Sequence, residues 1–221
     1  IKSATNQFEN EFNKGLIVDN SFINDYEKIF NKQSSYDYLI NQKNIKLKAK
    51  NIKPNQMQIF ALQKLDLLRS KGKTKALIIS ATGTGKTFLC AFDVKRFKAK
   101  KFLFIVHRAN IANAAMSTFK SVFDNSVSMG IYSGERREIE SDYIFSTVQT
   151  ISKTSHLEQF DRKHFDYIVI DETHRAGAQS YNNIINYFNP KFLLGMTATP
   201  ERTDGADIFK LFNHNIAYEI R

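Results

Sequence analysis

Residues 79–87 read Ile79-Ser80-Ala81-Thr82-Gly83-Thr84-Gly85-Lys86-Thr87, and this stretch decides the fold. Counted back from Lys86, it fits the template G-x-x-x-x-G-K-[ST], with Ser80 standing where glycine is usual. The apolar run Ala76-Leu77-Ile78-Ile79 leads in with strand character, and Thr87 to Phe97 leads out with helical character. A strand–loop–helix of this kind turns backbone N–H groups and a helix N-terminus toward one point, which suits a polyphosphate. Gly83 and Gly85 permit backbone angles closed to other residues and let the chain approach phosphates. Lys86 is a point charge able to reach β and γ oxygens. The Thr87 hydroxyl suits Mg²⁺, which keeps most of its waters and takes few protein ligands. Taken alone, the string also fits a Gly-rich turn that caps a helix with Lys86 in solvent. The rest of the chain argues against that.

From residue 54 onward the chain alternates regularly. A helical pattern begins at Pro54, with Met57, Ile59, Phe60, Leu62, Leu65 and Leu68 on its apolar face, and ends near Gly72. Apolar runs of strand length follow at 76–80, 102–106, 127–132, 143–147, 167–171 and 192–197. Runs such as Phe102-Leu103-Phe104-Ile105-Val106 are apolar throughout, as strands buried on both faces are. Residues 54–215 therefore read as one α/β domain with a mostly parallel central sheet and helices on both faces. Ligands of such sheets gather at the carboxyl ends of the strands. The notable residues lie there: the Lys86 loop after 80, His107-Arg108 after 106, Thr147 after 146, Asp171-Glu172 after 170, and Thr197 to Thr199 after 196.

Composition narrows the classes. With 42% hydrophobic and 24% charged residues among 221, the chain is ordinary for a globular protein. No run approaches the ~18 apolar residues of a membrane span. The patch Leu16-Ile17-Val18 is too short for a signal peptide. The single cysteine, Cys90, excludes an internal disulfide and a cysteine-cluster zinc site, reads as a small buried residue, and fits a reducing cytoplasm. The net charge of +10 favours a polyanionic partner. Basic residues form three groups: Lys43, Lys46, Lys48, Lys50 and Lys53; Arg69, Lys71, Lys73 and Lys75; Lys95, Arg96, Lys98, Lys100 and Lys101. Each is either a solvated segment or a polyanion-binding face. Residues 1–50 are rich in Asn and Lys and read as an N-terminal extension and linker, with a short helix at Ser21 to Phe30.

Asp171-Glu172-Thr173-His174 follows a buried run. An acidic pair there suits two jobs: Asp171 holds a metal through water, and Glu172 polarises an attacking water. With these motifs in order, residues 52–221 resemble the first RecA-like motor domain of superfamily-two DEAD/DEAH-type helicases. The branch they resemble holds the helicase subunits of type I and type III restriction enzymes, UvrB and RecG. Several assignments follow from that resemblance. Lys53-Pro54-Asn55-Gln56 resembles the family's Arg-Pro-Tyr-Gln, which implies that Gln56 reads adenine; a surface helix glutamine is the alternative. The loop residues Thr82, Gly83, Thr84, Gly85, Lys86 and Thr87 would hold ATP, with Thr87 and Asp171 toward Mg²⁺ and Lys86, Asp171 and Glu172 catalytic. Phe104 to Arg108 resembles the family's motif Ia, with Arg108 toward a phosphate and His107 either packing or contacting the strand. Phe145 to Thr150, with Thr147 and Gln149, resembles motif Ib, which meets the sugar–phosphate backbone; such contacts position without reading sequence. Gly195 to Asp204 resembles motif III, where Thr197 and Thr199 link toward His174 or Asp171 and Arg202 meets the strand or a partner domain.

His174 and Thr197 stand where DEAD-box RNA remodellers carry Asp and Ser, so the resemblance leans to duplex-DNA translocases. It implies ATP-driven movement on DNA; an RNA-dependent ATPase and a nucleotide-switched nucleic-acid-binding module are the alternatives. A motor of this kind needs a second RecA-like domain, whose arginine finger is worth ~10³–10⁵ in related NTPases. The chain stops at Arg221, so weak activity on its own is expected. The start at Ile1 reads as a fragment, and residues 1–30 faintly resemble the tail of a phospholipase-D-like nuclease domain.

Overall fold

A computed structural model of the chain describes residues 52–81, 83–124, 126–172, 179–198 and 208–220. The N-terminal extension, with its expected helix at Ser21 to Phe30 and all of the first lysine group but Lys53, lies outside the described residues.

The first helix, α1 (Gln56–Ser70), starts at an Asn55 cap. The Asn55 side chain accepts the Gln58 N–H at 2.8 Å and Gln58 Oε1 accepts the Asn55 N–H at 2.9 Å, a reciprocal capping box. The departure from the family's tyrosine at Asn55 therefore has a local cause. The helix buries Gln58, Ala61, Leu62 and Leu65. Ile59 and Phe60, expected on the apolar face, are instead 43% and 51% exposed. The buried stripe begins at a polar side chain and keeps only Leu62 and Leu65 of the expected face fully buried.

The remaining elements alternate along the chain. In order they are β1 (Lys75–Ser80), α2 (Lys86–Phe97), β2 (Phe102–Val106), α3 (Ala109–Phe123), β3 (Met129–Ser133), β4 (Arg136–Arg137), β5 (Tyr143–Thr147), α4 (Val148–Ile151), α5 (Thr154–Leu157), β6 (Tyr167–Asp171), α6 (Gln179–Tyr187), β7 (Phe192–Thr197), α7 (Ile208–Leu211) and β8 (Ile216–Ile220). Eight strands form one sheet in the order β4-β3-β5-β2-β6-β7-β1-β8. Every pairing is parallel except β3 with β4.

Alternation along each strand feeds two cores. Ala76, Ile78, Phe102, Phe104 and Val106 point into the core shared with α1, α2 and α3. Leu77, Ile79, Leu103 and Ile105 point into the opposite core with Ile151, Leu157, Phe160, Ile184 and Phe212. Two strands escape the sequence reading. β4 is a two-residue hairpin return, and β8 carries the sheet past the expected limit at residue 215. As an edge strand β8 exposes Ile216 and Glu219 while burying Ala217, so it lacks the continuous apolar run of the inner strands. Beside it, Gly195 in β7 has the Phe212 ring against it: a Cβ there would sit 2.4 Å from Phe212 Cζ.

The C-terminal end of α1 is tied to α2 by charge. Arg69 makes two 2.8 Å bonds to Asp93, whose side chain is fully buried, and one of 2.6 Å to Asp66. The Tyr167 hydroxyl of β6 donates to Asp93 at 2.5 Å. Burial alone would lower the Arg69 pKa, but the Asp93 and Asp66 carboxylates hold it above its ordinary value. Burial and Asp93 push the Tyr167 phenol well above its usual range. Removing one partner of a buried pair costs about 3–5 kcal/mol, because the other charge is left uncompensated. Asp93→Ala should lower urea-denaturation stability by about that amount. The triple replacement Arg69→Met, Asp93→Leu, Tyr167→Phe should recover most of the loss; equal losses in both variants would show that the network's charge pairing is not what matters.

Candidate functional site

The expected residues collect at the carboxyl edge of the sheet. Strand register levels them: β7 lies between β6 and β1, with Asp171 opposite Met196 and Ile79 opposite Thr197. The Lys86 loop and Asp171 are thus two strand spacings apart, about 10 Å between strand axes. They interact electrostatically, since Lys86 draws down the pKa of the Asp171 carboxyl.

The loop holds itself with hydroxyls and carbonyls. Ser80 is buried, and its Oγ lies 2.7 Å from Thr84 Oγ1, which also donates to Ala81 O at 2.9 Å. This gives the unusual serine a use, since it fastens the two ends of the turn. Gly83 and Gly85 have φ of 81° and 80°, the left-handed region that glycine adopts freely. The Lys86 ammonium donates to Ser80 O and Ala81 O, each at 2.9 Å. Lys86 and Thr87 open α2, a twelve-residue helix whose N-terminal amides face the same point.

The acidic pair is under tension. Burial first, and repulsion from Glu172 second, push the Asp171 carboxyl up from 3.8 to about 6; the Glu172 N–H bond and Lys86 pull the other way. Asp171 Oδ1 accepts the Glu172 N–H at 3.0 Å. Glu172 itself has φ of 57°, a left-handed conformation that side-chain-bearing residues adopt at some energetic cost. Glu172 lines a cavity of about 310 Å³ together with His107, Arg108 and Ile111. Gln149 Nε2 lies 3.1 Å from His107 Nδ1, so the segments after β2, β5 and β6 meet at this cavity.

Other expected residues sit as follows. Gln56 is exposed at the first position of α1, and the residue that touches the loop is Gln58, whose Nε2 donates to Gly85 O at 3.2 Å. Arg108 is exposed at the N-cap of α3. Thr147 is 6% exposed, and its hydroxyl is engaged by Ser133 at 3.2 Å and Thr150 at 3.0 Å. Thr197 is buried at the end of β7. Thr82, His174, Thr199 and Arg202 lie outside the described residues. Cys90 is buried, as expected, and its desolvated thiol is pushed well above the usual range. Sequence reasoning missed Gln58 and the Arg69–Asp93 pair. A capping-box pattern was the one signal available for Gln58; no local signal marks a partner 24 residues away.

Two of the basic groups lie at the far rim. Lys71, Lys73 and Lys75 run into the start of β1, and Lys100 and Lys101 into the start of β2, at the amino edge of the sheet. Within these groups Arg69 is consumed by Asp93, Lys95 donates to Val122 O at 2.6 Å, Arg96 pairs with Asp66 and Lys101 with Asp142.

A family model described as type III restriction enzyme, res subunit, matches residues 51–202, well over half of the chain. The chain belongs to that family, and the matched residues include the Lys86 loop and the acidic pair. A protein of Acanthamoeba polyphaga mimivirus described as a putative ATP-dependent RNA helicase is 28% identical over 137 residues, covering 62% of this chain and 25% of its own length. The Mycobacterium tuberculosis DNA 3'-5' helicase XPB is 31% identical over 144 residues, covering 61% of this chain and 26% of its own. The chain thus spans about a quarter of the length of these curated relatives. The crystal structure of the UvsW helicase from bacteriophage T4 matches with a TM-score of 0.62 at 20% identity, over 84% of this chain and 67% of that one. The fold is RecA-like, as the sequence motifs imply. No helix among the described residues is long and apolar enough to cross a membrane.

The raised Asp171 pKa has a direct consequence for stability. A carboxyl whose folded pKa exceeds its unfolded value opposes folding once it must ionise. That opposition is absent below pH 3.8, grows as pH rises through about 6, and is complete above it. Asp171→Asn should therefore stabilise the chain at pH 7.5, by up to about 3 kcal/mol, and change little at pH 4. Urea denaturation at the two pH values checks this, and a variant that is destabilised at pH 7.5 contradicts it.

Proposed function

We propose that residues 51–221 are the first motor domain of an ATP-driven DNA translocase or helicase, with residues 1–50 as an extension to it. The single observation that carries the reading is geometric: the Lys86 loop after β1 and the acidic pair at the end of β6 stand at the same carboxyl edge of a parallel sheet, with only β7 between them. In this reading Lys86 exchanges its Ser80 and Ala81 carbonyl partners for β and γ phosphate oxygens. Backbone amides of Gly83 to Thr87 meet the phosphates, and Gln56, exposed at the start of α1, faces the adenine.

The donor set fits Mg²⁺. Thr87 and Asp171 supply hard oxygens, and Asp171 is a carboxylate whose ionised form burial penalises and a cation would favour. An ion held by Thr87 and Asp171 would neutralise phosphate charge. Glu172, held at the cavity beside His107 and Arg108, orients and deprotonates the attacking water.

The nucleic-acid strand would run past the ends of β2 and β5. Arg108, exposed at the N-terminus of the fifteen-residue α3, would take a phosphate. Gln149 reaches the same region, and Thr147, bonded to Ser133 and Thr150, holds the turn that presents it. Thr197, with Thr199 and Arg202 beyond it, would couple the two sites, and His174 belongs to the same link. The motor cycle needs a second RecA-like domain. Low activity of this stretch by itself and a cytoplasmic setting belong to the same proposal. An RNA-dependent ATPase is the second reading, favoured by the mimivirus relative's description. ATPase stimulation by duplex DNA, single-stranded DNA and RNA, compared in the full-length protein, separates the two.

Lys86→Ala should abolish nucleotide binding measured by titration calorimetry. Glu172→Gln should keep nucleotide affinity while hydrolysis falls by about 10²–10⁴. Normal turnover in the Gln variant would remove Glu172 as the base. In nucleic-acid binding, Arg108→Ala should lower the slope of log K against log salt by about one. Joint neutralisation of Lys71, Lys73, Lys98 and Lys100 should leave that slope unchanged. A reduced slope in the lysine variant would place the strand at the amino edge of the sheet.

A further inference from the structure

The helix α1 is fastened to the loop-bearing helix α2 at both ends. Arg69 grips Asp93 at one end, and Gln58 reaches Gly85 at the other. Gln58 is 5% exposed, unusual for a glutamine on an outer helix. Its side chain is used at both atoms: Oε1 accepts the Asn55 N–H at 2.9 Å, and Nε2 donates to Gly85 O at 3.2 Å. The acceptor is mechanically sensitive. Gly85 is the N-cap of α2, sits at φ of 80°, and immediately precedes Lys86. Its carbonyl also accepts the Leu89 N–H at 3.0 Å, the opening bond of the helix. A Cβ on Gly85 would stand 3.0 Å from Gln58 Nε2, so the amide rests directly against the loop.

We infer that Gln58 is a positioning residue for the phosphate-binding loop, holding the Gly85 peptide so that the Gly85 and Lys86 N–H groups point at the phosphates. The inference rests on the nucleotide-site reading above. Gln56, at the base-facing start of α1, lies within the same helical turn as Gln58. Base contact and phosphate contact are thereby joined through one rigid helix, itself anchored at Asp93.

The two bonds of Gln58 can be separated by substitution. Gln58→Glu keeps the oxygen that receives the Asn55 N–H, a residue type that capping boxes favour, but has no donor for Gly85 O. Asn55→Ala removes the cap and leaves the Gln58 donor in place. Gln58→Met removes the donor and the capping-box acceptor together without adding charge, so it is read against Asn55→Ala, which disturbs the cap alone.

The test is MgADP affinity by calorimetry, beside Tm, on the full chain at low and high salt. Gln58→Glu should raise Kd for MgADP about tenfold, near the loss of one well-placed hydrogen bond, with Tm read beside it because a carboxylate buried at this position carries its own cost. Gln58→Met should show a comparable rise that is insensitive to salt. Asn55→Ala should lower Tm and leave Kd within about twofold. Without nucleotide, backbone amide exchange across residues 83–87 should quicken in Gln58→Glu and not in Asn55→Ala. Wild-type affinity and exchange in Gln58→Glu would overturn the inference. So would a Kd change confined to the Glu variant and erased by salt, which would assign the effect to charge. If the wild-type chain binds no MgADP, the nucleotide-site reading fails, and loop exchange still decides whether Gln58 positions the loop.

Discussion

The structure depends on burying both faces of a parallel sheet. Leu77 and Ile79 enter one core while Ala76 and Ile78 enter the other, so no strand residue at the centre meets solvent. Helices must cover both faces, and every reversal of the chain is forced to an edge. Parallel strands then end at the same edge, and their following loops share it. The convergence of Lys86, His107, Gln149, Asp171 and Thr197 follows from topology rather than from any attraction among them. The strand order brings β6, β7 and β1 side by side, although 85 residues of sequence lie between Lys86 and Glu172.

At that edge the chain tolerates unfavourable local physics. Asp171 is kept where ionisation is resisted, and Glu172 holds a backbone conformation that its side chain disfavours. Neither of these features helps the fold. Each is overruled by the packed strands beneath, which fix the ends of β6 and β1 independently of the loops beyond them. Local strain at a site is sustained in this way only where the surrounding structure over-determines it.

Charge is partitioned between structural and functional use. The buried Arg69–Asp93–Tyr167 network joins α1, α2 and β6, three elements that flank the loop without entering it. Basic residues at the amino edge pair with Asp66, Asp142 and a carbonyl of α3, so a net charge of +10 overstates the surface free for a polyanion. Arg108, by contrast, is exposed at the carboxyl edge and lines the cavity with Glu172. The position of a basic residue before or after a strand says more about its partner than the density of basic residues does.

Much of this was legible in one dimension. The inner strands announce themselves because a strand buried on both faces has to be apolar throughout, and the loop at 80–87 because its geometry demands glycine, lysine and a hydroxyl at set intervals. Their order implied which residues share an edge. The edge strands β4 and β8 were not legible, since β4 is two exposed arginines and β8 exposes Ile216 and Glu219, so neither shows an apolar run. Nor was the stripe of α1, where Gln58 is buried and Phe60 is not. By itself the sequence determined the fold class, the loop and the level at which the acidic pair stands, all of which rest on local periodicity and backbone chemistry. Only tertiary structure decided that Gln58 holds Gly85, that Ser80 closes onto Thr84 within its loop, that Arg69 is spent on Asp93, and that the Thr147 hydroxyl turns inward, because each depends on which side chains close packing brings face to face.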